Sequence, residues 1–234
     1  MARCFCKSCG EFERRISLLI KFGVDLENCA ILVAQFSFYS MSEFPLYFGL
    51  GKDHILDYVN GYDHILFVLA LCAVYLVRDW KKILILVTAF TIGHSITLAL
   101  ATLNIISVKT ELIEFLIPLT IFITAVSNLF KNEATADNKN IQINYFFALF
   151  FGLIHGMGFS NYLRAILGKS HEILTPLLAF NLGLEFGQII VVTFFLAISY
   201  ILVDWLKASR RDWKMVLSSG IAGIALILMK DRLF

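Results

Sequence analysis

Long apolar runs separated by short polar stretches fill the chain from residue 62 onward. A helix crossing about 30 Å of hydrocarbon needs about 20 residues at ~1.5 Å each. Runs of that order predict six spans: Tyr62–Val77, Ile83–Leu103, Leu112–Phe130, Ile143–Tyr162, Ile173–Val203 and Met215–Met229. The first is short and begins at Asp63 and His64, and the fifth is long enough to tilt or bend around a polar centre. The stretch KNEATADNKN, from Lys131 to Asn140, reads as a surface loop dividing the spans three and three, and no repeat relates the halves. The predicted fold class is all-α, a polytopic transmembrane helical bundle over residues 61–230.

The pattern changes upstream. Between residues 41 and 60, Phe44, Leu46, Tyr47, Phe48, Leu50, Ile55, Leu56 and Tyr58 form an apolar face too interrupted to cross, which predicts an interfacial amphipathic helix on the outer surface. Residues 1–40 scatter Glu11, Glu13, Asp25 and Glu27 through the sequence, and their longest apolar run, Cys29–Tyr39, is too short to span. They also lack the ordered regions of a secretory signal. They read as an extension, with Met41 as the start of the working protein. Cys4, Cys6 and Cys9 do not complete a four-ligand zinc set, and Cys29 and Cys72 stand alone in apolar surroundings, so no disulfide framework is indicated.

Composition agrees with the membrane reading. Hydrophobic residues make up 59% of the chain and charged residues 16%, with a mean hydropathy of +0.77. A soluble domain carries about 25% charged residues. The net charge of +2 gives no reason to expect a nucleic-acid partner. Position matters more than balance. Arg78, Lys81, Lys82, Lys131, Lys139, Lys207, Arg210, Arg211 and Lys214 fall in alternate connections, whereas the opposite connections carry only Lys109, Arg164 and Lys169. The basic face is expected in the cytoplasm, which puts both termini outside.

The polar residues inside the spans point to chemistry. Asp63 and His64 open the first span; Thr91, His94 and Ser95 lie in the second, His155 in the fourth, and Asn181, Glu185 and Gln188 in the fifth. Ionisable groups within a bilayer cost about 2.5–3.5 kcal/mol each on insertion scales, so several at one depth call for a function. Thr91 and His94 are three apart, and Asn181, Glu185 and Gln188 are four and three apart, so each set shares a helix face. Gly152 and Gly156, like Gly183 and Gly187, are four apart, a spacing that lets helices approach closely. Imidazole with carboxylate or amide oxygen suits Ni²⁺, Zn²⁺, Co²⁺ or Cu²⁺. The expected ligands are His94, His155 and Glu185, with Asp63 and His64 as an entry pair and Asn181, Gln188, Thr91 and Ser95 behind them. His54 and His171 read as solvated outer residues, and Glu114 is left undecided.

The blocks GYDHILF, VTAFTIGHSITLAL, FGLIHGMGF and FNLGLEFGQ resemble, in order, spacing and polar identity, the motifs of the HupE/UreJ family over roughly Met41 to Val203. The resemblance implies a bacterial inner-membrane protein associated with hydrogenase and urease and regarded as a nickel permease, with nickel-enzyme maturation proteins as partners. It places the family's polar positions at Asp63, His64, His94, His155, Glu185 and Gln188. The expected function is transport of a divalent transition metal, nickel favoured. The alternative is an intramembrane zinc-dependent hydrolase on the same ligands, with Glu185 or Asp63 as general base. No H-E-x-x-H motif accompanies it.

Overall fold

The computed structural model describes residues 43–58, 61–131, 141–167 and 173–233. His171 and the extension 1–40 lie outside the described residues. The chain divides into two compact units, Met1–Pro45 and Leu46–Phe234, and the site belongs to the second. The elements are α1 (43–56), α2 (Tyr62–Cys72), a 3₁₀ turn at Val77–Asp79, α3 (Trp80–Thr102), α4 (Thr110–Phe130), α5 (Ile141–Gly158), α6 (Ser160–Leu167), α7 (Leu174–Ser199) and α8 (Arg210–Asp231). A π-helical turn, Tyr200–Trp205, extends α7. The described residues contain no strand.

Four helical stretches are long and apolar enough to cross a membrane: Val77–Thr102, Thr110–Phe130, Leu174–Trp205 and Arg210–Asp231. A fifth span is formed if α5 and α6, bent by 49° at Phe159, are taken as one. Apolar surface explains the class: lipid cannot satisfy backbone N–H and C=O groups, so each spanning run closes its own helical hydrogen bonds.

The expected span Tyr62–Val77 is not formed. The helix α2 stops at Cys72 after 11 residues, about 16 Å at ~1.5 Å each. The reason lies elsewhere in the chain. Buried Asn128 of α4 donates through Nδ2 to the Ala70 carbonyl at 2.6 Å, satisfying an acceptor in the last turn of α2. Tyr75, just beyond, accepts from Asn144 Nδ2 at 3.0 Å. These tertiary bonds end the helix inside the bundle, where hydropathy alone shows only a continuing apolar run.

Proline shapes α4. Pro118 has no N–H, so the Glu114 carbonyl one turn earlier lacks its intrahelical donor, and Arg232 Nη1 lies 3.5 Å from it. The other close contacts are made by glycine. A Cβ on Gly93 of α3 would strike the Leu149 carbonyl oxygen of α5, and one on Gly152 or Gly156 of α5 would strike the carbonyls of Phe90 or His94. Likewise Gly51 of α1 meets the Phe180 carbonyl of α7, and Gly183 of α7 meets that of Phe48. The segment expected at the interface thus packs backbone to backbone against α7 and buries Tyr47 and Ile55.

Candidate metal-binding site

Two apolar clusters form the core. One is built around Phe67, Phe90 and Phe151, the other around Ile55, Leu98, Leu163 and Phe180. Imidazoles from four helices gather at their seam. His54 comes from the last turn of α1, His64 from the first turn of α2, His94 from the middle of α3 and His155 from near the end of α5. The glycine contacts explain the arrangement, because α3 and α5 touch through backbone on both sides of His94 and His155.

Ring centroids are separated by 4.5 Å for His54–His64, 5.2 Å for His64–His155, 6.2 Å for His64–His94 and 6.4 Å for His54–His94. One nitrogen each of His54, His64 and His94 lies within 4.8 Å of the others. Metal–nitrogen bonds of about 2.0–2.1 Å set tetrahedral ligand atoms about 3.4 Å apart, so small side-chain rotations would close this set on one ion. His155 stands behind His64, between Phe67 at 5.0 Å and Phe90 at 5.2 Å.

Hydrogen bonding selects the lone pairs. His64 Nδ1 lies 3.0 Å from Asp63 Oδ1, which also accepts the His64 backbone N–H at 2.9 Å. With Nδ1–H donating to the carboxylate, Nε2 presents its lone pair to the cluster, the arrangement found behind many metal-bound histidines. The Thr120 hydroxyl donates to the Ile117 carbonyl at 2.7 Å, so at 3.1 Å it accepts from His155 Nε2–H. That leaves Nδ1 of His155 as the acceptor. Among the described residues the buried Nε2 of His54, Nε2 of His64, Nδ1 of His155 and both nitrogens of His94 have no partner within hydrogen-bond geometry. An unsatisfied buried polar atom costs about 1–3 kcal/mol, a cost that a ligated cation would offset. The donor set fits a borderline transition metal better than the hard cations, which prefer oxygen.

His54 opens onto a cavity of about 710 Å³ lined also by Asp53, Asp57, Phe159 and Tyr162. Asp53 is paired with Lys52 at 3.2 Å, and the second carboxylate, Asp57, leaves the mouth with an acidic balance that favours cations.

The structure brings Asp63, His64, His94 and His155 together but leaves Glu185 apart. Glu185 Oε1 accepts from the Thr88 hydroxyl at 2.7 Å, and Thr88 is six residues, ~9 Å along α3, from His94. Gln188 Oε1 accepts from Thr91 at 2.8 Å, and Ser95 donates to the Thr91 carbonyl on its own helix. Asn181 stands near His94 and donates to the Leu177 carbonyl. Glu114 is exposed.

His54 is the residue that sequence reasoning misplaced: instead of being solvated it joins the cluster. A signal was present, because Asp-His-Ile-Leu occurs twice, at 53–56 and 63–66, and the two histidines of that repeat have the shortest imidazole–imidazole separation of the cluster. Nor does either carboxylate stand ready as a general base, since Asp63 is committed to His64 and Glu185 to Thr88. The geometry gives the hydrolase reading no support.

Asp63→Asn keeps an acceptor for His64 but removes the charge. It is expected to weaken Zn²⁺ or Ni²⁺ binding by about 10–100-fold in calorimetric titration of the purified chain, with the thermal unfolding of the metal-free protein little changed. Unchanged affinity would show that the carboxylate does not support His64 as a ligand.

The description of a HupE / UreJ protein matches residues 30–231. No curated protein and no solved structure matches the chain. The family match covers most of the sequence, and four helices able to cross a membrane accompany it: the chain belongs to the HupE/UreJ family.

Proposed function

We propose that the chain is a permease that takes a divalent transition metal, nickel favoured, through an imidazole site within the bilayer. His54, His64 and His94 bind the ion, His155 takes it up next, and Asp63 holds His64 and compensates charge. The observation that carries this reading is the convergence of four histidines with unpartnered buried nitrogens beside a cavity with an acidic rim. A family named for hydrogenase and urease accessory proteins supports a metal-handling role. In this reading the protein lies in a bacterial inner membrane with the cavity and the C-terminus outside, because the basic loops fall on the other face. Nickel-enzyme maturation proteins receive the cargo.

The test is uptake into proteoliposomes that hold a metal-responsive dye and the full chain, with Ni²⁺, Co²⁺, Zn²⁺ and Cu²⁺ supplied outside in turn. Accumulation of at least one ion above protein-free vesicles is expected, and none for any ion would reject transport. Protons compete for the same imidazole lone pairs, so the initial rate should fall as external pH drops from about 7.5 to about 5.5. A rate that rises over that interval counts against imidazole ligation.

A further inference from the structure

A second cavity, about 260 Å³, lies between α4, α5 and the end of α2, with Leu86 of α3 on one wall, away from the imidazoles. Its polar end holds Lys131, Asn144 and Tyr75. Lys131 Nζ donates to Asn144 Oδ1 at 3.1 Å, and Asn144 Nδ2 donates to the Tyr75 hydroxyl oxygen at 3.0 Å. Those two bonds use one lone pair and one N–H of the amide. Two further N–H groups of Lys131, the second N–H of Asn144 and the Tyr75 O–H remain as donors. The buried ammonium of Lys214 adds a second positive charge and donates to the Lys131 carbonyl. Among the described residues neither lysine has a carboxylate within salt-bridge distance. Burial, and then the Lys214 charge, hold Lys131 below the ordinary lysine range. The acid nearest Tyr75, Asp79, is paired with Lys82 at 3.2 Å, so the two neighbouring cations are an unfavourable end for a cation path and a favourable one for an anion.

The rest of the cavity is apolar, and its wall reaches the lipid-facing surface at Ile123, Ile143 and Phe147, exposed by 46%, 53% and 47%. A free inorganic anion gains nothing from that wall. An acyl chain does.

We propose that this cavity binds an anionic phospholipid, its phosphate held by Lys131, Lys214 and the Tyr75 hydroxyl and one acyl chain lying along Ile123, Ile143 and Phe147. Basic pockets between membrane helices suit such headgroups. The competing role is structural, since a cation at the end of α4 also stabilises the helix dipole. That role predicts a change in stability without any choice among lipids.

Native mass spectrometry of the full chain with phosphatidylglycerol or phosphatidylcholine of matched chains separates these. Phosphatidylglycerol is expected to bind preferentially, and Lys131→Gln with Lys214→Gln should weaken its binding by about 10-fold. The exposed Lys81→Gln should leave it unchanged. Equal binding of the two lipids, unaltered binding by the double variant, or an equal loss in Lys81→Gln overturns the proposal. Displacement by millimolar inorganic phosphate would identify a free-anion site and overturn the lipid assignment. Should the double variant not fold, Tyr75→Phe keeps the ring and must still lower phosphatidylglycerol binding by about 3-fold; no change overturns the site. Lost metal flux with intact lipid binding would make the cavity part of the metal path, also against the proposal. Lipid binding does not depend on transport, so either reading can fail alone.

Discussion

His94→Ala is expected to lower metal affinity by more than about 100-fold, beyond what loss of a supporting group costs. His94 is fully buried, both its ring nitrogens lack partners within hydrogen-bond geometry, and it completes the set with His54 and His64. Removing it forfeits a ligand at the cost, within the protein, of at most its contact with Asn181, so the metal-free fold should survive. The readout is thermal. At 100 times the dissociation constant, an ion that binds only the folded state adds about 2.7 kcal/mol, and the variant should lose this metal-dependent stabilisation. His54→Ala should do nearly the same, whereas Glu185→Gln should change affinity by less than about 3-fold, because its carboxylate is bonded to Thr88. A Glu185→Gln loss matching that of His94→Ala would return Glu185 to the site and discard the assignment made from geometry.

Gly152→Leu is expected to cost more than about 3 kcal/mol of stability, at or above the upper end for overpacking. The atom in the way is the Phe90 carbonyl oxygen on α3, and backbone, unlike a side chain, cannot rotate aside. The helices would have to separate along their whole contact, taking His94 and His155 apart with them. Metal binding and fold should therefore fail together. Gly220→Ala on α8 is the control, since nothing lies within 4 Å of a Cβ there. The higher helix propensity of alanine should stabilise it by up to about 1 kcal/mol. Equal stability for Gly152→Leu and Gly220→Ala, measured by reversible unfolding in detergent, would rule out the close α3–α5 crossing.

Helices α3, α4 and α8 contain the runs Ile83–Leu103, Leu112–Phe130 and Met215–Met229 to within a residue or two and extend beyond several of their ends, most by adding polar first turns. They were legible because hydrocarbon forces a run of apolar residues to close its own hydrogen bonds, a purely local requirement. The inward direction of His94 and His155 was legible for a similar reason: an imidazole in such a run avoids lipid. The end of α2 was not, because the donor that stops it, Asn128, is 58 residues away in sequence. The place of His54 beside His64 and of Glu185 on Thr88 was not legible on the same account. The sequence by itself determined which faces are apolar and where polar atoms must turn inward. Only the tertiary structure decided which of those polar atoms meet. Helix depth and rotation are set by distant contacts such as Gly51 on Phe180 and Gly183 on Phe48. With about 100° of turn per residue, a small change in that docking brings one side chain into the site and carries another out of it.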